Sequence, residues 1–229
     1  SFLYLLLGTT AVLFSCKKES KPTELPQELP VEMRPWICEE LDLPAREFIT
    51  PDEITWDLYD QASDFTVTTL DGDWNFKENF TGCESYLLIQ DEPAQAQGWP
   101  VPLWDRDVEA FVDHVPLNTQ VLFFTEASDY ATQVAKLEAI KVKIDAHVQT
   151  LSGAERVIRK DQFHYVTEKA SWKSDWVGKV FTNPGWGIGI DRFQRIRYIG
   201  SYADPTRSNP ERGWFEPNLK MAGNEAIYY

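Results

Sequence analysis

Few residues in this chain carry the usual chemistry of nucleophiles and bases. It has three cysteines, Cys16, Cys38 and Cys83, and three histidines, His114, His147 and His164. The histidines are scattered. No HExxH pair exists, and none stands in a recognisable arrangement with a Ser or Cys nucleophile. His147 falls off the apolar stripe of its segment and reads as a solvent-facing side chain. Adjacent carboxylates such as Asp91 and Glu92 suit acid–base work, but in a chain of net charge −14 they read as solvated surface. Asp71, Asp73 and Asn75 are spaced like the first ligands of a calcium loop. The match ends there: Phe76 stands where that loop needs Gly, and Gly82 where it needs a bidentate Glu. No metal and no cofactor are expected. The acidic balance also argues against a nucleic-acid backbone as partner. Of the nine tryptophans, Trp99, Trp104, Trp172, Trp176, Trp186 and Trp214 could stack on a partner, though packing is the commoner use.

The cysteines carry the address. Residues 1–15 hold an apolar run (Leu3, Leu5 to Leu7, Val12, Leu13) of export-signal length, short for a membrane span. Without an initiator Met or a basic leader, the chain is expected to be clipped at its front. The run ends Leu13-Phe14-Ser15-Cys16, which resembles the lipobox of bacterial lipoproteins, although Phe14 is bulkier than the usual residue. That resemblance implies a lipid on Cys16, a membrane as partner through it, and a place in the bacterial cell envelope. An outer-membrane protein facing periplasm or cell surface is expected. Residues 16–60 then read as the lipidated Cys16, a tether extended by Pro22, Pro26, Pro30 and Pro35, and a segment wrapping the folded body. With Cys16 lipidated, Cys38 and Cys83 are an even pair in an oxidising compartment, where a disulfide is the common outcome. Two separate buried thiols are the alternative.

The elements come next. Tyr86-Leu87-Leu88-Ile89 in the stretch 82–91 is a short apolar run bounded by polar residues, which reads as a strand buried on both faces. Val108, Phe111, Val112 and Val115 follow helical spacing behind Asp105 as a possible cap, and Pro116 stops that helix. A second buried strand spans 119–125, so strand, helix and strand form a βαβ unit with parallel pairing. Ser128 or Asp129 caps a long helix with the stripe Val134, Leu137, Ile140, Ile144, Val148 and Leu151, ended near Gly153. Residues 163–167 form a further strand. Ile188 and Ile190, then Ile196 to Ile199, read as a hairpin turned by Arg192-Phe193-Gln194. Earlier, 64–70 alternates apolar and polar and reads as a half-exposed strand turned at Asp71-Gly72-Asp73. Residues 202–229 read as an irregular extension of a chain that continues.

The order Asp64-Phe65-Thr66, Gly72, residues 75–80, the buried strand, and Pro184 ahead of a terminal hairpin resembles thioredoxin-like domains of the redoxin type. The resemblance covers 64–201 and sets the domain at 61–201. It implies an α/β fold with a mixed sheet flanked by helices, a short helix before the central strand, and a cis-proline at Pro184. Redox members carry a cysteine in the loop after the central strand. Here that loop opens Gln90-Asp91-Glu92-Pro93 and has no cysteine, while Cys83 precedes the strand. A thiolate is the nucleophile of disulfide exchange, so a redox-dead binding or accessory module with a protein or peptide partner is expected. The alternatives are a thiol–disulfide protein using Cys38 and Cys83, and the non-catalytic front of a larger secreted hydrolase. For the last, the chain resembles the front domain of exported peptide-N-glycosidase-like proteins.

Overall fold

The computed structural model describes residues 36–40, 42–91, 108–182 and 187–200. Cys16, the tether, Glu92, Trp99, Trp104, Asp105, Pro184, Trp186, Trp214 and the extension lie outside them. The described elements begin α1 (Trp36–Glu40), β1 (Thr66–Thr69), β2 (Gly72–Asn75), β3 (Ser85–Gln90), α2 (Val108–His114) and β4 (Thr119–Phe124). They continue α3 (Tyr130–Thr150), α4 (Gly153–Lys160), β5 (Phe163–Tyr165), a 3-10 turn at Ala170–Trp172, α5 (Trp176–Val180), β6 (Gly187–Ile190) and β7 (Ile196–Gly200).

Every residue of β3 is buried, because both sides of the sheet are covered. Leu87 and Ile89 face α2 and α3 in one core, with Phe111, Val121, Phe123, Leu137, Ile140 and Ile144. Tyr86 and Leu88 face the β1–β2 hairpin and α5 in the other, with Phe65, Val67, Phe76, Trp176, Val177 and Ile188. Strand order is β5-β4-β3-β6-β7. The β3–β4 and β4–β5 pairs are parallel, with Leu88 opposite Leu122 and Leu122 opposite His164. The β3–β6 and β6–β7 pairs are antiparallel. Two parallel crossovers followed by a returning antiparallel hairpin make the fold thioredoxin-like, a mixed α/β sheet with helices on its faces. No helix of the described residues is long and apolar enough to cross a membrane.

Three local features differ from the expectations, each for a visible reason. Residues 76–79 form turns rather than a short helix: Asp64 Oδ1 accepts from the Lys77 N–H (3.0 Å) and Asn75 Oδ1 caps the Glu78 N–H (2.8 Å), but the one helical bond that follows, Asn79 N–H to the Asn75 carbonyl (3.2 Å), is not continued, since Phe80 N–H turns to the Lys77 carbonyl (3.3 Å). In α3, capped by Asp129 accepting from the Thr132 N–H at 2.9 Å, Val134 is only half-buried and Gln133 is buried instead. The Gln133 Nε2 donates to the Thr125 carbonyl at 3.3 Å, while its Oε1 is buried with no hydrogen-bond partner among the described residues. Gly153 opens α4 rather than closing α3; the break falls at Leu151 and Ser152, both extended.

The β1–β2 hairpin lies against the β5 edge. Leu70 N–H donates to the Tyr165 carbonyl (2.9 Å), Thr167 N–H donates to that of Thr68 (2.8 Å), and Thr69 bridges to Val166. On the far edge, residues 59–62 pair with the start of β7: Tyr59 N–H reaches the Ile196 carbonyl at 2.7 Å and Ile196 N–H that of Asp60 at 2.9 Å. These contacts cap one end of each edge strand.

Candidate functional site at the carboxyl end of the sheet

Ligands of α/β sheets gather beyond the carboxyl ends of the parallel strands. Three segments leave that end here. After β3 comes Asp91, whose N–H donates to the Phe124 carbonyl at 2.8 Å. Its carboxylate is buried, 6% exposed, and Lys136 of α3 donates to it. The expectation of a solvent-facing Asp91 is therefore corrected. The second turn of α3 crosses above the strand end, and a carboxylate enclosed there needs a cation beside it.

After β4 comes Glu126, whose carboxylate accepts from the Ser171 N–H (3.1 Å) and the Ser171 hydroxyl (2.6 Å). That contact fastens the 3-10 turn to the strand end. The turn in turn carries Trp172, whose ring is 65% exposed. After β5, Glu168 accepts from the Thr68 N–H at 3.2 Å. Lys173 Nζ joins the Glu168 carboxylate (3.2 Å), the Asp175 carboxylate (3.5 Å) and the Thr66 carbonyl (2.6 Å). The helix behind is close: a Cβ on Gly178 would meet the Lys173 carbonyl oxygen at 1.8 Å, so only glycine lets α5 pack there.

These contacts enclose an open cleft of about 520 Å³ lined by Thr68, Tyr130, Lys169, Trp172, Lys173 and Asp175. Lys169 Nζ lies 4.7 Å from the Trp172 ring centroid, and Tyr130 at the start of α3 is 62% exposed. Two exposed rings flanked by ammonium and carboxylate groups suit a partner that is flat or polar, held by stacking and hydrogen bonds. Of the tryptophans singled out from sequence, Trp172 is the one placed here; Trp176 is core, with its Nε1 donating to the Thr55 carbonyl at 2.8 Å.

The cysteines sit elsewhere. Cys38 and Cys83 are joined by a disulfide with Cα atoms 5.3 Å apart, and both are buried. Cys83 precedes β3, and Asn118 ahead of β4 donates to its carbonyl at 3.0 Å. The bridge therefore lies at the amino end, and β3 alone separates it from Asp91 by roughly 20 Å. Other polar groups are engaged structurally. His147 is not solvated as expected: its Nε2 lies 2.7 Å from Asp113 Oδ1 of α2, its side chain 15% exposed, because α2 packs across that face of α3. His164 Nε2 contacts Gln120 Oε1 at 2.8 Å, and Gln120 donates to the buried Glu84. Sequence reasoning missed this Glu84–Gln120–His164 row, since its members come from the residue before β3, from β4 and from β5, and only the pairing of those segments brings them together. Among the described residues no group of His, Cys, Asp and Glu could hold a metal ion.

No known family model matches the chain, and no curated protein matches it. Among solved structures, it is similar to a protein from Chlorobium tepidum assigned as the thiol:disulfide interchange protein DsbE. That likeness has 13% identity, covers 76% of this chain and 97% of that one, and has a TM-score of 0.36. It is also similar to the hypothetical protein SMc02350 from Sinorhizobium meliloti 1021, with 19% identity, 68% of this chain and 76% of that one covered, and a TM-score of 0.38. The assignment of a thioredoxin-like fold rests on strand order and direction rather than on these likenesses.

Proposed function

We propose that this chain is a binding or accessory module built on a thioredoxin-like fold without thiol chemistry, held at the bacterial cell envelope by a lipid on Cys16. One observation carries the reading. The two cysteines of the folded body are bonded to each other, buried, at the amino end of β3, and the chain has no cysteine after that strand. Disulfide exchange needs an exposed thiolate and a second thiol to resolve the mixed disulfide. The Trp172–Tyr130 cleft, at the end where such folds take ligands, is the surface we assign to a protein or peptide partner.

The test is an insulin-type reduction assay with dithiothreitol, run on the full chain beside a Cys38→Ala/Cys83→Ala double mutant. Neither protein is expected to raise turnover above the dithiothreitol background. Turnover by the parent that the double mutant loses would replace this reading with that of a thiol–disulfide enzyme.

A further inference from the structure

At the opposite end of the molecule the charge reverses. In a chain of net charge −14, four arginines, Arg46, Arg192, Arg195 and Arg197, line one cleft of about 770 Å³. Two carboxylates line it with them, Glu47 and Asp191. Asp191 is fully buried and engaged: its Oδ1 accepts from the Phe193 and Arg195 N–H groups (2.8 Å each) and its Oδ2 from Arg197 (3.3 Å). Those bonds shape the β6–β7 turn, so the turn that presents the arginines is built before any ligand arrives.

The wrapping segment closes the other wall. Arg46 N–H donates to the Thr81 carbonyl at 3.1 Å. Gly82, at φ +72, lies so close beneath that a Cβ would meet the Arg46 Cβ at 2.3 Å. Two guanidinium groups lie over the Phe193 ring, with Arg46 Cζ 4.3 Å and Arg192 Cζ 5.3 Å from its centroid. Arg192 is 3% exposed. One of its terminal nitrogens donates to the Pro44 carbonyl at 3.3 Å, and its Nε–H is buried with no hydrogen-bond partner among the described residues. Burial, then the neighbouring Arg46, act to lower the Arg192 pKa, and Asp191 opposes them. A guanidinium stays charged through such a shift. Like charges gathered on a buried donor are costly unless an anion completes the site.

We infer that this arginine cleft binds a carboxylate carried on an apolar body, an organic acid. The guanidinium forks match a planar carboxylate and hold it with two parallel bonds. The cleft is far larger than a bare oxyanion, and Ile49, Phe80 and Phe193 supply apolar walls for the remainder. This site is independent of the thiol reading and of the Trp172 cleft.

The experiment follows arginine side-chain N–H resonances of the full chain by NMR, titrated with 3-phenylpropionate, the uncharged 3-phenylpropanamide, and inorganic phosphate. The Arg192 Nε–H resonance is expected to shift saturably with the carboxylate and not with the amide, and phosphate is expected to bind more weakly. Arg46 is exposed, so Arg46→Gln should fold normally and weaken 3-phenylpropionate by about tenfold or more, as the loss of a charge-assisted hydrogen bond implies. Tyr130→Ala, in the other cleft, should leave the titration unchanged. No saturable shift, equal affinity for the amide, or unchanged affinity in Arg46→Gln would overturn the site. Phosphate binding as tightly as 3-phenylpropionate would overturn the organic-acid assignment.

Discussion

Gln194 shows how much one side chain can organise. It takes a left-handed backbone conformation, φ +64, at the end of the β6–β7 turn. Its amide then closes three hydrogen bonds: Nε2 donates to the carbonyls of Ile49 (2.8 Å) and Ala62 (2.6 Å), and Oε1 accepts from the Ile49 N–H (2.9 Å). Residue 49 belongs to the wrapping segment and Ala62 to the start of the domain, so this amide ties that segment to the sheet. Gln194→Ala leaves the buried Ala62 carbonyl without this donor and frees the exposed Ile49 backbone, and is expected to cost about 1–3 kcal/mol. A urea titration reads it directly, and an unchanged midpoint with unchanged slope would show that the clamp contributes little. Nothing in the spacing of Arg192-Phe193-Gln194 marks the last residue as different from the other two. Its role exists only once residues some 145 positions away arrive beside it.

At the scale of the element, β3 is the member whose loss the fold cannot absorb. Leu88 is fully buried between Leu122 and Ile188 and faces the core that holds Phe76, Trp176 and Val177. Leu88→Asp would place a carboxylate among these apolar side chains. The expected cost is several kcal/mol, comparable with the roughly 5–15 kcal/mol that holds a domain folded. The variant should lack a cooperative thermal transition by circular dichroism; a melt within a few degrees of the parent would mean that β3 is not the centre of the sheet. This element was legible beforehand, because burial on both faces writes itself into sequence as an uninterrupted apolar run. The same holds for α2 and α3, whose stripes are apolar at helical spacing. The stretch 76–79 was not legible, since its conformation depends on Asp64, eleven residues before Asn75 and across the hairpin.

For the whole molecule, the two ends of the sheet carry different clefts. The carboxyl end carries the aromatic cleft, and the amino end carries the disulfide and the arginine cleft. The bridge joins residues 45 apart, and a loop of that size stabilises by about 3–4 kcal/mol when unstrained. It also anchors the segment that brings Arg46 over the β6–β7 turn. Ahead of this body the sequence holds Cys16 and the proline-rich stretch proposed as a tether. Cys16 following Leu13-Phe14-Ser15 is expected to accept a fatty acid in a bacterial host, and Cys16→Ala to abolish it. Metabolic labelling with a fatty-acid probe checks this; equal labelling of parent and mutant would end the lipid-anchor proposal.

By itself the sequence determined the order and kind of the main elements, the β-hairpin that closes the sheet, and the want of a cysteine after the central strand. Each is a local property: apolar periodicity, turn residues, or the identity of a few positions. Tertiary structure alone decided that Asp91 is buried against Lys136, that His147 leans on Asp113, and that four arginines from residues 46 to 197 line one cleft. Burial and charge neighbourhood depend on which elements cross above a residue, and no window of sequence contains that information.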